Sequence, residues 1–154
     1  MYDAENQVVR ALDRAAAGAR TVDFFGSTLA LPPERRFADI ASVQRWVTEV
    51  LALTTVQQVW PGVPGCSVRS RAGASSAHYE PPGTIAVPTA QTWALRELVL
   101  CHELAHHVTW HTAAHPVAGH GREFVDSYVT LAEVVIGSEV ALLLRAGMDE
   151  AGAV

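Results

Sequence analysis

The segment from Leu98 to Trp110, LVLCHELAHHVTW, holds three histidines and one glutamate among largely apolar residues. Buried polar side chains without partners are costly, so this segment needs a compensating group. His102 and His106 are four residues apart, and on an α-helix both side chains leave the same face, about one turn apart. They can therefore bind one metal ion. Glu103 follows the first histidine and can reach a water on that ion, which completes an HExxH motif.

A catalytic zinc ion usually has three protein ligands and one water, so a third ligand must come from outside this motif. The metzincin extension HExxHxxGxxH is excluded, because Thr109 and Thr112 occupy the positions of its glycine and its third histidine. His120 is favoured, because a loop containing Pro116 and Gly119 can turn the chain back towards the helix. Three carboxylates of the next helix and two other histidines remain alternatives: Glu123, Asp126, Glu133, His111 and His115.

A zinc ion held in this way lowers the pKa of its water, and Glu103 can accept the proton while the hydroxide attacks a carbonyl. We therefore expect a hydrolase that uses Zn²⁺, more specifically a peptidase, with Glu103 as general base. A further donor usually stabilises the tetrahedral intermediate, and the candidates are Tyr79, His78 and Tyr128. The spacing identifies none of them, and their ordinary roles are a strand aromatic, a surface histidine and a helix-core tyrosine.

The competing hypothesis is a non-catalytic metal-binding module with a structural or regulatory role. In such a module a fourth protein ligand, for example His111 or His115, would fill the position of the water. His107 points to a different helix face from His106, so we expect it to support a ligand or to pack. Cys101 is expected to be a small buried apolar residue and not a nucleophile.

Hydrophobic spacing and turn residues predict the elements of the first half of the chain. Asp3 is expected to cap a first helix, and TVDFFGSTLALPP to form two short strands around a Gly26–Ser27 turn. A second, amphipathic helix begins at Asp39. Between residues 66 and 88, short extended pieces alternate with Gly, Ser and Pro clusters, which predicts three small strands. These strands are CSVRSR, AHYE and TIAVP.

The second half is predicted to be helical. Thr89 or Thr92 can cap a long helix that carries the HExxH motif and ends near Thr109. HTAAHPVAGHG then forms a loop that can cover the site. A last helical region has boundary residues at its start, middle and end, namely Arg122, Gly137–Ser138 and Gly147.

Several segments spread along the chain carry a resemblance to a known family. HELAHH followed by HGREF is similar to the HExxH…HGxxF pattern of SprT-like zinc metalloproteases, in which the histidine before glycine is the third ligand. This resemblance implies His120. YDAENQV, LPPERRF, AHYE, IAVP and WALRELVLCHELAHH extend the likeness, over almost the full length, to a small actinobacterial family of HExxH metallohydrolases.

The elements and the resemblance together predict an α+β fold in one zincin-like domain, residues 1–154. A small sheet of three or slightly more strands packs against the HExxH helix and further helices. In zincin-like folds an edge strand over the catalytic helix can pair with an extended peptide, and TIAVP is expected to be that strand or its neighbour. Arg69 and Arg71, which alternate onto one strand face, are expected to be solvated.

Composition limits the partners and the compartment. A hydrophobic content of 49% and a charged content of 18% are typical of a folded globular protein. The net charge of −5 argues against nucleic acid, so we expect a peptide or protein substrate. No apolar run reaches the roughly 18 residues of a membrane span, the N-terminus does not resemble a secretory signal, and two cysteines are too few for a disulfide framework. We expect a cytoplasmic protein that does not contact membranes.

Overall fold

The HExxH helix is buried along most of its length, up to an exposed last turn, in the computed structural model, which describes residues 2–73, 76–114, 119–150 and 152. Helices and small sheets share the described chain, so the predicted α+β class is confirmed. In chain order the elements are α1 (Tyr2–Ala16), β1 (Thr21–Phe24), β2 (Ser27–Ala30), α2 (Ile40–Ala52), α3 (Thr54–Val59), β3 (Ser67–Ser70), β4 (His78–Glu80), β5 (Thr84–Val87), a 3-10 turn (Thr92–Ala94), α4 (Glu97–Thr112), α5 (Arg122–Val135) and α6 (Ser138–Glu150).

The three strands predicted between residues 66 and 88 form one mixed sheet in the order β3-β5-β4. β3 runs parallel to β5, and β4 runs antiparallel to it, with His78 opposite Ala86. The central strand β5, the predicted TIAVP segment, buries Ile85, Ala86 and Val87. TIAVP is therefore the neighbour of the edge strand, and β4 is the edge strand that contacts α4.

The predicted hairpin is present as β1 and β2, but its turn is one residue earlier than expected. Phe24 already pairs with Ser27, so the turn residues are Phe25 and Gly26. Their φ angles are 48° and 80°, and a two-residue turn with both φ values positive matches the twist of the flanking strands. Asp23 Oδ1 accepts a hydrogen bond from the amide of Gly26 at 3.1 Å.

The predicted N-terminal cap is present in α2 but not in α1. Asp39 caps α2 as predicted, with a reciprocal capping box to Ser42. The prediction that Asp3 caps α1 is wrong, because the helix already includes Tyr2 and places Asp3 in its first turn. At that position its negative charge interacts favourably with the positive end of the helix dipole. The short helix α3 was not predicted, since it has no side-chain cap at Leu53.

The start of α4 also corrects the sequence-based prediction, because neither Thr89 nor Thr92 caps it. The cap position is Arg96, which makes no side-chain cap of its own. Instead, the carboxylate of Glu34 accepts the amide of Leu98 at 3.0 Å. A residue distant in sequence thus satisfies an amide at the helix start. The helix ends at Thr112, beyond the expected end near Thr109.

The last helical region begins at Arg122 and divides at Gly137, both as predicted. Gly137 has a φ of 150°, a conformation that side chains with a Cβ rarely adopt. The prediction that Gly147 ends this region is wrong, because Gly147 lies inside α6. A Cβ at Gly147 would lie 2.9 Å from the Cβ of Ala4, so this glycine permits close packing of α1 against α6.

The hydrophobic core surrounds α4. Leu98, Leu104 and Val108 of α4 are fully buried and belong to one cluster with Val47 of α2 and Leu131 of α5. A helix that is buried on most of its faces is not amphipathic, which agrees with the apolar residues found all round α4. Among the described residues, no helix combines the length and apolar character needed to cross a bilayer.

Candidate metal centre

The structure brings together the three histidines favoured from the sequence. His102 and His106 project from α4, and His120 lies in the turn just before α5. One ring nitrogen of each lies within 4.8 Å of the others, close enough for all three to bind one metal ion. The Nε2 atoms of His102 and His120 are 3.3 Å apart. Ligands of a tetrahedral zinc ion, at about 2.0 to 2.1 Å from it, are about 3.4 Å apart, so this spacing fits such an ion.

Phe124 of α5 packs against all three histidine rings of this cluster. Its ring centroid lies 4.3 Å from that of His106 and 4.9 Å from those of His102 and His120. Phe124 is only 1% exposed, so the rings are held against the core on one side. Three residues separate His120 from Phe124, and the start of α5 between them brings the two rings into contact.

Burial keeps two of the three rings neutral. Burial, together with repulsion from His102 and His120, lowers the pKa of His106 to about 3. Burial also lowers the pKa of His120, with His102 adding to the effect. Neutral imidazole is the form that binds a metal, and it suits zinc and other divalent transition metals.

His102 differs because a carboxylate lies beside it. Burial alone would lower the pKa of His102, but Glu5 outweighs that effect and the pKa is raised. Glu5 Oε2 is 3.3 Å from His102 Nδ1, on the side of the ring away from His120. Sequence reasoning missed Glu5, because only the packing of α1 on α4 brings it to the site.

Glu103 lies beside the histidines and is 5% exposed. Burial raises the pKa of Glu103 to about 7, although His102 opposes the shift. A carboxyl group with such a pKa can both accept and release a proton near neutral pH. This is the chemistry expected of a general base.

Two clefts meet at the site, and both are lined by His102 and Glu103. One cleft, of about 410 Å³, also contains His106, His120 and Trp110. The other, of about 370 Å³, extends past the exposed ring of Trp93. The larger cleft therefore reaches the whole histidine cluster and Glu103, whereas the other reaches His102 and Glu103.

The candidate oxyanion donors separate into two groups. His78 and Tyr79 line the larger cleft together with Glu103. Tyr128 does not, because its fully buried hydroxyl donates towards Glu5 Oε1 at 3.1 Å and the carbonyl of Leu98 at 3.3 Å. Of the two roles considered for Tyr128, oxyanion donor and helix-core tyrosine, the structure supports the second.

The neighbouring histidines of α4 are held by protein groups. His107 Nε2 donates to the carbonyl of Pro64 at 2.9 Å, so its Nδ1 accepts from the hydroxyl of Tyr79 at 3.2 Å. His107 therefore packs against the β4 side of α4, as expected from its helix face. His111 donates to the carbonyl of Pro82 at 2.6 Å and does not join the cluster.

The remaining alternatives for the third ligand lie elsewhere. Asp126 forms an ion pair with Arg145 at 2.7 Å, and Glu123 and Glu133 are exposed. His115 and the middle of the loop that was expected to cover the site, residues 115–118, lie outside the described residues.

Two further predictions concern residues near the site. Cys101 is completely buried, and burial raises the pKa of its thiol well above the usual value, which agrees with an apolar and unreactive role. Arg69 is exposed, as expected, and forms an ion pair with Glu80 across the sheet. Arg71 contacts His78 and donates to the carbonyl of Ser76 at 2.8 Å.

The chain matches no protein-family model, and no curated protein and no solved structure matches it. Function must therefore be inferred from the geometry of the metal centre.

Proposed function

We propose that the protein is a zinc-dependent hydrolase, more specifically a metallopeptidase, with His102, His106 and His120 as ligands and Glu103 as general base. The observation that carries this proposal is the meeting of three imidazole rings beside one buried carboxylate at the junction of two clefts. Zinc sites with three histidines are typical of catalysis.

The number of ligands favours catalysis over a structural metal site. Structural zinc sites are usually closed by four protein ligands, whereas catalytic sites leave one position for water. Within the described part of the chain, the cluster contains three histidines and no fourth ligand. His111, one proposed fourth ligand, is hydrogen bonded to Pro82 instead.

The chain's own residues supply the other parts of a hydrolytic site. When bound, zinc would lower the pKa of a water molecule and polarise a carbonyl group. Glu103 accepts the proton of the water and can return it to the leaving amine, since its carboxyl lies beside His102 in both clefts. His78 and Tyr79 line the same cleft, but the hydroxyl of Tyr79 is hydrogen bonded to His107 and the ring nitrogens of His78 contact Arg71 and Glu80, so we assign no oxyanion donor.

The arrangement of β4 and α4 supports a zincin-like fold and a peptide or protein as substrate. β4 is an edge strand beside the helix that carries Glu103, so its free edge can pair with an extended peptide. The resemblance to SprT-like metalloproteases favours the same substrate class. Both cysteines are buried and unpaired, which fits a reducing compartment, and we propose that the protein acts in the cytoplasm.

The test is the substitution Glu103→Gln, with a fluorescence-quenched library of random peptides as substrate and zinc added in excess. We expect Glu103→Gln to bind as much zinc as the unmodified protein and to cleave the library at least about 100-fold more slowly. Glu133→Gln, at an exposed position of α5, is the matched control and should cleave at the original rate. Full activity in Glu103→Gln would reject the mechanism.

A further inference from the structure

The two nitrogens of the His102 ring have different surroundings. Nε2 faces the histidine cluster, 3.3 Å from Nε2 of His120. Nδ1 points the opposite way and is buried, and in the described part of the chain it makes no hydrogen bond of good geometry. The facing carboxylate oxygen is Glu5 Oε2 at 3.3 Å, within ion-pair distance.

Metal binding fixes where the proton of this ring must be. A neutral imidazole that binds a metal through Nε2 carries its proton on Nδ1. A buried N–H donor requires an acceptor. Glu5 is the group that can provide one, and its carboxylate has a free oxygen on this side.

Glu5 is itself held in place from the other side. Its second oxygen, Oε1, accepts from the hydroxyl of Tyr128 at 3.1 Å. The same hydroxyl lies 3.3 Å from the carbonyl of Leu98, one turn before His102 on α4. The Glu5 side chain is only 13% exposed. A continuous polar contact thus joins α1, α4 and α5 behind His102.

The first turn of α1 has a second contact with the cluster. The ring of Tyr2 packs edge-on against His120, with a centroid distance of 5.7 Å. Tyr2 and Glu5 are three residues apart and therefore lie on one face of α1. Two of the three histidines are consequently contacted by one helical turn that is distant from them in sequence.

We propose that Glu5 is a positioning residue of the metal centre, which accepts a hydrogen bond from Nδ1 of His102 while Nε2 binds the metal, and that Tyr128 orients Glu5. This inference rests on the proposed metal site. The carboxylate fixes the tautomer and the orientation of the ring and makes the imidazole a stronger ligand.

The test measures metal affinity and does not depend on catalysis. Zinc affinity of the full chain is determined by competition with a chromophoric chelator, and Co²⁺ absorption reports the ligand geometry. We expect Glu5→Ala to lower zinc affinity about 10- to 100-fold and to change the Co²⁺ spectrum. Glu5→Gln keeps an acceptor oxygen without the charge and should lose less affinity, and Tyr128→Phe should lose less than Glu5→Ala.

Asp3→Ala is the matched control, because it removes a carboxylate from an exposed position of the same helical turn. It should keep the original affinity and spectrum. Equal zinc affinity and an unchanged Co²⁺ spectrum in Glu5→Ala would overturn the inference while leaving the three-histidine site intact. If Glu5→Ala does not fold, an unchanged affinity in Glu5→Gln together with Tyr128→Phe overturns it. If the unmodified protein binds no metal, the proposed function fails as well.

Discussion

His106 and His107 are adjacent in sequence but have different roles. A rotation of about 100° per residue separates their side chains around α4. His106 joins the cluster with His102 and His120, whereas both nitrogens of His107 are hydrogen bonded, to Pro64 and Tyr79. Position on the helix, and not residue type, therefore decides which histidine can bind a metal.

Replacing each of these two histidines should give opposite results. His107→Ala removes a fully buried ring and its two part-buried hydrogen bonds, and should destabilise the protein by about 1–3 kcal/mol while leaving zinc affinity unchanged. His106→Ala should abolish tight zinc binding. Urea unfolding and zinc titration measure the two effects. Loss of zinc binding in His107→Ala would show that the assignment of the ligands is wrong.

Most of the candidate site could be predicted at the residue scale because its signals are local. The spacing of His102, Glu103 and His106 belongs to one helical turn, and His120 is recognisable from its flanking glycines. Glu5 and Phe124 were not assigned roles in the site, since these depend on how α1 and α5 pack against α4. Such packing leaves no signature in the spacing of a single segment.

At the scale of elements, the start of α4 depends on a distant segment. Arg96 and Glu34 form an ion pair at 2.5 Å, with side chains only 3% and 4% exposed. Glu34 also accepts the amide of Leu98, and Glu97 accepts the amide of Arg35 at 2.8 Å. The segment before α2 therefore fixes where the HExxH helix begins.

Glu34→Ala should consequently destabilise the protein by about 3 kcal/mol or more, because it leaves one helix amide unpaired and leaves buried Arg96 with Asp13 as its remaining acidic partner among the described residues. Urea unfolding measures the change. Glu49→Ala, at an exposed position of α2, is the control and should change stability by less than about 0.5 kcal/mol. An equally small change in Glu34→Ala would contradict this account of the start of α4.

The elements that were predicted correctly have signals within a few residues of sequence. The errors arise where contacts between distant segments determine where a helix begins or ends. The capping box of Asp39, the hairpin of β1 and β2 and the short strands between residues 66 and 88 can all be recognised within a few residues. The start of α4 depends on Glu34, and the passage of α6 through Gly147 depends on its contact with Ala4. Sequence spacing alone does not report either contact.

At the scale of the whole molecule, one extended apolar core surrounds α4. The cluster includes residues from every α-helix and from β5, with Val43, Ile85 and Leu144 fully buried, and Val68 of β3 and Tyr79 of β4 pack against it. Small modules whose fold depends on zinc are unfolded without it. If the proposed site binds zinc, we expect this core to let the chain fold before the metal binds.

Zinc content of the purified full chain tests the central claim most directly. After removal of metal with a chelator and dialysis against zinc, the protein should remain folded throughout and retain one zinc ion per chain. His120→Ala should retain far less than one, whereas His111→Ala should retain as much as the unmodified protein. One tightly held zinc ion in His120→Ala, with unchanged affinity, would contradict the three-histidine site.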